Sequence, residues 1–192
     1  MNGFSPASLL GGAMLLLAVV ASLACTDQTR LRLVEKILED RAGQLDPDAR
    51  RKVAGALVRA ESHRGVDAVL LIAVIEQESR FRSKVVSHRN AFGLMQLRPE
   101  TAADVATRHG IPFDGEESLH DPAKNLSIGS TYLAELKEEF ETWEIALAAY
   151  LNGPTKVRAA LEQGREVRSR YATRVLRRMR MIQDLYVTDG GS

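Results

Sequence analysis

The stretch that decides the fold is residues 67–81, which read DAVLLIAVIEQESRF. It is apolar almost all round until Glu76, and this pattern predicts a helix that runs through the core of a domain rather than over its surface. Asp67 is well suited to cap the first turn of that helix. The same stretch ends in Glu76 and Glu78, so a buried helix carries two carboxyl groups to its last turn, just before a predicted loop.

On either side of this stretch, helix-start and helix-stop signals recur. Asp46-Pro47 and Asp121-Pro122 each combine a capping carboxyl with a proline in the first turn, and glycines follow several apolar runs. Residues 34–38 form a spacer or an extra helix, and residues 83–93 form a loop. Further helices are predicted from Pro47 to about Gly65, from Pro99 to near Gly110, from Pro122 to about Glu141, from Trp143 to Leu151 and from about Val167 to Tyr186. Because strand alternation is absent, the fold class is all-α.

Composition limits the architecture and the function classes. The chain has 192 residues and is 45% hydrophobic, which suffices for one domain with a real core and not for two large ones. Its formal net charge of +1 gives no argument for nucleic-acid binding, and its single cysteine excludes an internal disulfide. The 4 histidines show no ligand spacing, so we expect neither a metal site nor another cofactor.

Residues 1–25 differ in kind from the rest of the chain. From Leu9 to Cys25 there is no charged residue, which is typical of an export signal or a membrane anchor. Ser22 and Ala24 form the small-x-small pattern that a signal peptidase accepts, and Cys25 stands where a bacterial lipoprotein carries its lipidated cysteine. Lipidation, cleavage without a lipid and an uncleaved anchor all stay open. Each of them places the rest of the chain outside the cytoplasm or at the membrane.

The position of Glu78 suits acid catalysis. Partial burial disfavours the charged form of a carboxyl, so its pKa rises and it can hold a proton near neutral pH. Such a group can donate that proton to a glycosidic oxygen. Glu76 is the rival, because two residues along a helix are about 200° apart and the two carboxyls point to nearly opposite faces. The helix pattern alone does not decide between them.

Further motifs follow in order along the chain. The first block reads Ile75-x-x-Glu78-Ser79-x-Phe81, and the next contains Ser87, Ala91 and Gly93-Leu94-Met95-Gln96, followed by Pro99-x-Thr101-Ala102. Then come Asp121-Pro122-x-x-Asn125-x-x-x-Gly129-x-x-Tyr132-Leu133, a block from Ala146 to Tyr150, and finally Tyr171 and Val175. Over about residues 55 to 180, this ordered set resembles the soluble-lytic-transglycosylase family, the goose-lysozyme-like catalytic domains.

The resemblance implies a lysozyme-like helical domain, with a small hairpin left open, that cuts peptidoglycan glycan strands in the periplasm. It assigns residues 55–188 to the catalytic domain and residues 26–54 to a helical spacer and the start of the first helix, after the leader of residues 1–25. Glu78 is then the catalytic acid and afterwards the base. The implied substrate-binding residues are Ser79, Met95, Gln96, Tyr150 and, one position late, Asn152.

Each of these side chains also has a structural interpretation. Ser79 can bond to the local backbone, and Met95 can pack in the core. Gln96 can cap the loop that follows it. Tyr150 can be a buried aromatic with one satisfied hydroxyl, whereas the resemblance gives it a hydrogen bond near Glu78 that holds the acid in place.

Two departures from the family pattern concern the site. The family's Ala-Tyr-Asn-x-Gly reads Ala-Tyr-Leu-Asn-Gly here, so Leu151 stands at the asparagine position and Asn152 follows it. A shift of one residue turns a side chain by about 100° around a helix, which puts a substrate contact in doubt. Asn90 replaces a glycine before Ala91, and asparagine tolerates the left-handed backbone that such a turn requires.

A single well-placed carboxyl favours a mechanism other than the usual two-carboxylate one. The 2-acetamido group of N-acetylmuramic acid attacks its own anomeric carbon, and the 6-hydroxyl then closes a 1,6-anhydro ring with Glu78 as base. A lytic transglycosylase is therefore the first hypothesis. The alternatives are a hydrolytic goose-type lysozyme and, because of Leu151 and Asn152, an inactive peptidoglycan-binding domain. Nothing in the sequence indicates an oligomeric state.

Overall fold

The computed structural model describes residues 27–186, so the predicted leader of residues 1–25, with Cys25, lies outside the described part of the chain. The helices are α1 (residues 27–41), α2 (Pro47–Arg64), α3 (Ala68–Glu78), α4 (Pro99–His109), α5 (Pro122–Phe140), α6 (Trp143–Asn152), α7 (Pro154–Glu162) and α8 (Arg170–Tyr186). A short 3-10 helix, Glu116–His120, precedes α5. The predicted all-α class is confirmed.

The loop between α3 and α4 carries what little β pairing the described range contains. Val86 pairs with Phe92 and Phe92 with Leu97, both as isolated antiparallel bridges rather than as strands. The hairpin that the sequence left open is thus reduced to two contacts inside one loop. These contacts fold residues 86–97 back on themselves beside the end of α3.

The helix starts follow from local capping chemistry. Asp46, Asp67 and Asp121 each accept backbone N–H bonds from the first turn of the helix that follows, at 2.7–3.1 Å. Gly65 and Gly110 end α2 and α4 with φ of 66° and 62°, the left-handed conformation that glycine adopts at little cost. These predicted boundaries are confirmed.

Helix α3 is the centre of the core. Every residue from Ala68 to Ile75 is 0% exposed, because α2, α8 and the loop after α3 surround it. Helix α1 belongs to the same core cluster through Val34, Ile37 and Leu38, which are also 0% exposed. The extra helix that the sequence allowed at residues 34–38 is therefore present. The predicted domain boundary at residue 54 stays a prediction, although residues on both sides of it pack into one core.

Polar contacts fasten three helices together at the C-terminal end of α3. The guanidinium of Arg41 in α1 donates to both carboxylate oxygens of Glu76 at 2.9–3.2 Å. From α8, Arg178 approaches Glu76 at 3.6 Å and donates to the Gln77 side chain at 3.1 Å. Farther along α8, the Tyr186 hydroxyl donates to Asp40 at 3.0 Å. Of the two glutamates at the end of α3, Glu76 is therefore the one whose carboxylate links neighbouring helices.

Two features of the C-terminal third differ from the prediction. Gly153-Pro154 does end α6, but Pro154 also begins α7, a helix that the sequence analysis did not predict. Helix α8 starts at Arg170, three residues later than predicted, because the Ser169 hydroxyl accepts the backbone N–H of Ala172 at 3.2 Å and acts as its cap. On its inner face, Tyr171, Val175 and Ile182 are buried, while Met179 and Tyr186 are half-buried.

In the described range, no helix is both long enough and apolar enough to cross a membrane.

Candidate active site

Glu78 occupies the last turn of α3, at the wall of a cleft of about 670 Å³. The helix stops directly after it, since the backbone N–H groups of Ser79 and Arg80 both bond to the Ile75 carbonyl. Arg80 and Phe81 then take the left-handed conformation, and Phe81, only 1% exposed, anchors the turn in the core. A buried helix and a buried turn therefore hold the half-buried Glu78 carboxyl at the cleft.

Burial raises the pKa of Glu78, and the nearby Tyr171 hydroxyl acts in the opposite direction. That hydroxyl is buried and has no partner at normal hydrogen-bonding geometry among residues 27–186, yet it lies close enough to Glu78 for each group to affect the other's pKa. Burial, and then the Glu78 charge, raise the pKa of Tyr171 and of Tyr150 well above the usual value. Both phenols therefore stay protonated at neutral pH.

Tyr171 is the residue of this site that sequence reasoning missed. The motif set includes it, but the sequence predicts no role for it beside Glu78. The available signal was its place at the end of the ordered motif set, but its approach to Glu78 depends on how α8 packs against α3. Glu76, by contrast, does not line the cleft and is bonded to Arg41.

Asn125 positions the loop that carries Gln96. Its side chain is 0% exposed, accepts the Met95 backbone N–H at 2.8 Å and donates to the carbonyls of Phe92 and Leu119 at 2.9 and 3.0 Å. Gly93 sits against this amide with φ of 74°, and a Cβ there would collide with the Leu119 carbonyl oxygen and the Asn125 side chain. The buried amide of Asn125, from the motif block at the start of α5, therefore holds the loop that contains the preceding block, Gly93 to Gln96.

Gln96 lines the cleft, as predicted, from a left-handed backbone with φ of 50°. Its amide nitrogen donates to the carbonyls of Gly93 and Val85 at 3.0 and 3.3 Å, which stabilises the loop. Its amide oxygen accepts no hydrogen bond from the residues that the structure describes and is open to a ligand. Nearby, Asn90 has φ of 56°, which confirms that asparagine sustains the turn where the family has glycine.

Tyr150 also lines the cleft, where burial and then the charge of the nearby Glu78 raise the pKa of its phenol. Its hydroxyl donates to the Met95 carbonyl at 2.6 Å. Its ring stacks at a tilt against Tyr132, with centroids 5.5 Å apart. Tyr150 thus ties α6 to the loop that carries Gln96. That it holds Glu78 in place stays a prediction.

The end of α6 forms a cleft wall that departs from the family pattern. Leu151 lines the cleft and is 46% exposed, so an apolar side chain stands where the family has an asparagine. Asn152 lines the cleft too, but its amide nitrogen donates back to the Ala148 carbonyl of its own helix at 2.9 Å. One N–H donor of Asn152 is therefore occupied by the backbone of its own helix.

Ser79 and Met95 are not brought to the cleft. Ser79 is 0% exposed, and its hydroxyl donates to the Ile75 carbonyl at 3.2 Å, the local backbone bond that serine often makes at a helix end. Met95 is also 0% exposed, with its side chain packed against Gly129, where a Cβ would collide with its sulfur. Both side chains serve the packing behind the site, and we no longer assign them a direct substrate contact.

Comparisons with known proteins agree with this arrangement. The family model described as the transglycosylase SLT domain matches residues 56–172. A membrane-bound lytic murein transglycosylase C of Actinobacillus pleuropneumoniae serotype 5b is 38% identical over 104 residues, covering 52% of this chain and 27% of the relative. A putative soluble lytic murein transglycosylase of Haemophilus influenzae is 34% identical over 87 residues, covering 45% and 15%. This chain spans less than a third of the length of these relatives.

Solved structures show the same architecture. The lytic transglycosylase Slt of Pseudomonas aeruginosa is similar with a TM-score of 0.62 and 29% identity, over 68% of this chain and 24% of that chain. The 70 kDa soluble lytic transglycosylase of Escherichia coli gives a TM-score of 0.60 and 27% identity, with the same coverage of 68% and 24%. Since the family model matches more than half of its 192 residues, the chain belongs to the transglycosylase SLT domain family.

Proposed function

We propose that this chain is a lytic transglycosylase that cleaves the β-1,4 bond between N-acetylmuramic acid and N-acetylglucosamine in peptidoglycan, leaving a 1,6-anhydromuramic acid end. The observation that carries the proposal is Glu78, a half-buried carboxyl with a raised pKa at the wall of the cleft. Membership of the family, and relatives named lytic murein transglycosylases, support the same reaction and the same substrate.

In the first step, Glu78 donates its proton to the glycosidic oxygen, so the leaving sugar departs as a neutral alcohol. Burial prepares this step, because it disfavours the charged carboxylate and keeps the proton in place. The Tyr171 hydroxyl favours the opposite state and stabilises the carboxylate that remains once the proton has gone. The two effects together make Glu78 an acid that can release its proton and later take one back.

The second step proceeds without a second carboxyl from the cleft. Among the described residues that line it, Glu78 is the sole aspartate or glutamate. Most glycosidases use a second carboxylate as nucleophile or base. Because the described lining of the cleft has no second carboxylate, the substrate-assisted route is favoured. The 2-acetamido oxygen attacks C1 as the bond to the leaving oxygen breaks. The 6-hydroxyl then displaces the acetamido oxygen from C1 and gives its proton to the Glu78 carboxylate.

Other cleft residues hold the sugar during these steps. The open amide oxygen of Gln96 can accept a hydrogen bond from a sugar hydroxyl or N–H group. Tyr150 presents part of its ring to the cleft while its hydroxyl fixes the neighbouring loop. Leu151 and Asn152 complete the wall at the end of α6. We propose Gln96, Tyr150 and Asn152 as substrate-binding residues.

A peptidoglycan-cleaving protein acts in the cell envelope, and we propose a periplasmic location for this chain. The membrane-bound relatives fit that compartment. Residues 1–25 would serve as signal peptide, lipoprotein anchor or uncleaved anchor, with Cys25 as the lipidated residue in the second case. The intact mass of the mature protein distinguishes these outcomes, because cleavage and lipidation change it by different amounts.

The experiment that tests the proposed function is muropeptide analysis by mass spectrometry after digestion of purified sacculi. The wild-type chain is expected to release 1,6-anhydromuropeptides, and Glu78→Gln is expected to release none. Products with reducing-end muramic acid would instead indicate a hydrolytic lysozyme. Binding to sacculi without any product, equal in wild type and Glu78→Gln, would indicate a peptidoglycan-binding domain and contradict the proposal.

A further inference from the structure

The cleft is lined by cations as well as by its single carboxyl. Arg89 lies in the loop before α4, Arg98 directly precedes α4, and Lys156 lies in the first turn of α7; all three line the cleft. The lone opposing group is Glu78, and burial favours its neutral form. The walls of a cleft proposed to hold a glycan therefore carry a surplus of positive charge.

Two of these cations have no partner in the part of the protein that the structure describes. Arg89 and Lys156 are exposed, and neither forms an ion pair or a side-chain hydrogen bond with residues 27–186. Arg98 differs, since it pairs with the exposed Glu100. Arg158, two residues after Lys156 on α7, bonds Glu139 at 2.9 Å on the surface away from the cleft. Of the three cations that line the cleft, Arg89 and Lys156 are therefore the two whose charges are available to a ligand.

The backbone adds to the same potential. Helices α4 and α7 both begin at the cleft, and neither start has a side-chain cap, whereas α2, α3 and α5 are each capped by an aspartate. The N-terminal end of a helix carries a partial positive charge, so two uncapped starts reinforce the side-chain cations. An anionic group in the cleft would meet donors from both walls.

The chemistry of the proposed substrate indicates what that anionic group is. The sugars of N-acetylated glycan strands are uncharged, and the lactyl carboxyl of muramic acid is neutral while it forms the amide bond to a stem peptide. The negative charges of stem-bearing strands are therefore the free carboxylates of the stem peptides. We infer, on the basis of the proposed function, that Arg89 and Lys156 bind stem-peptide carboxylates. The enzyme then selects strands with anionic stems over strands whose stem carboxylates are neutralised.

Equilibrium binding of soluble glycan strands tests this inference. One ligand carries stem peptides with free carboxylates, and the other is the same preparation after carbodiimide coupling to ammonia has converted those carboxylates to neutral amides. All proteins are full chains in the Glu78→Gln background, so the strands are not consumed. The parent protein is expected to bind strands with free stem carboxylates about tenfold more tightly than the amidated ones, and this preference should shrink as salt rises. Arg89→Gln/Lys156→Gln is expected to bind both ligands equally.

Lys84→Gln is the matched control. Lys84 is an exposed cation of the same loop as Arg89, but it does not line the cleft, so the preference should survive its substitution. Because Arg89 and Lys156 are exposed, their substitution is expected to leave folding intact, and each single variant should give an intermediate preference. Circular dichroism of every variant verifies that the fold is retained.

Three results would overturn the inference. The parent protein could bind the two ligands with equal affinity, or its preference could survive the double substitution. The double variant could also lose affinity for both ligands to the same extent. The last would mean that these cations serve the sugar rather than the stem. The readout is independent of cleavage. If wild type forms no anhydro ends yet the charge-dependent preference is present, the proposed function fails while this inference stands.

Discussion

The two walls of the cleft differ in how firmly the fold holds them. Glu78 extends from α3, where every residue from Ala68 to Ile75 is fully buried, and the buried Tyr171 packs beside it. The wall at the end of α6 is exposed, with Leu151 in solvent contact and Asn152 bonded to its own helix. The comparison teaches that the core fixes the proton-transferring group, whereas the residues around the sugar can change without disturbing the fold.

The two walls also compare differently with the motif pattern that the sequence resembles. On the acid wall Ile75, Glu78 and Tyr171 match that pattern, and a change of the buried Ile75 or Tyr171 would alter the packing around the acid. The α6 wall carries leucine for asparagine at position 151, an exposed site where substitution costs little stability.

The largest effect on kcat is expected at the end of α3, where Glu76 and Glu78 have different functions. Glu78→Gln removes the transferable proton and should lower kcat by about 10²–10⁴-fold with the fold intact. Glu76→Gln should leave kcat close to wild type but lower the free energy of unfolding by about 1 kcal/mol, because Arg41 loses a part-exposed charged partner. Single-turnover rates and urea unfolding measure the two effects. A comparable loss of kcat in both variants would contradict the assignment.

A smaller effect is expected from the phenol that accompanies the acid. Tyr171→Phe removes the hydroxyl that favours the charged form of Glu78, so the pKa of Glu78 should rise further. The alkaline limb of the kcat/KM profile should then move to higher pH, and kcat should fall by about tenfold as the carboxylate loses a stabilising contact.

Tyr186→Phe is the control for this prediction. Tyr186 lies at the far end of the same helix, where its hydroxyl bonds Asp40 at 3.0 Å rather than the site. Its substitution should leave the pH profile of kcat/KM unchanged. An alkaline limb that stays in place in Tyr171→Phe, or that moves to lower pH, would show that the hydroxyl does not act on Glu78.

The smallest effect is expected on the exposed wall. Leu151→Asn restores the family residue and one hydrogen-bonding group, worth about 1 kcal/mol, so kcat/KM should rise about fivefold through a lower KM. The free energy of unfolding should change by less than about 0.5 kcal/mol. Leu161→Asn, at a 38% exposed position of α7 outside the cleft, should change neither quantity. A large loss of folding stability in Leu151→Asn would contradict the claim that the α6 wall can change without disturbing the fold.

The helix boundaries were predictable where the signal is local. Asp46-Pro47, Asp67 and Asp121-Pro122 begin helices because a carboxyl next to the first turn satisfies free N–H groups, whatever the rest of the chain does. Helix α7 was not predicted, because a Gly-Pro pair such as Gly153-Pro154 indicates the end of a helix. The same pair can also begin the next helix, and the sequence does not distinguish the two cases. Val157 is the one buried residue of α7, so the helix shows little apolar stripe.

The site was predictable in its residue types and less so in its contacts. Glu78, Gln96, Tyr150 and Asn152 all line the cleft, as their motifs indicated. Which atom a side chain reaches depends on packing between distant segments. The Tyr150 hydroxyl meets the Met95 carbonyl because α6 crosses that loop, and Ser79 turns inward. No local pattern carries that information.

Burial at the end of α3 raises the pKa of Glu78, and the dependence of folding stability on pH tests whether the acid holds its proton. The free energy of unfolding is determined between pH 4 and 8 for wild type and for Glu78→Gln, and the difference is plotted against pH. Other groups cancel in this difference, whereas glutamine does not titrate. Between the usual glutamate pKa of 4.5 and the raised pKa of Glu78, the folded state holds a proton that the unfolded state has lost.

Wild type should therefore lose stability relative to Glu78→Gln as pH rises through that window, with a slope approaching about 1.4 kcal/mol per pH unit, and the difference should level off above it. A difference that stays flat from pH 4 to 8 would mean that Glu78 ionises as an ordinary surface carboxyl, and one that grows in favour of wild type with rising pH would mean that folding lowers its pKa. Either result would contradict the role of Glu78 as the poised acid of the cleft.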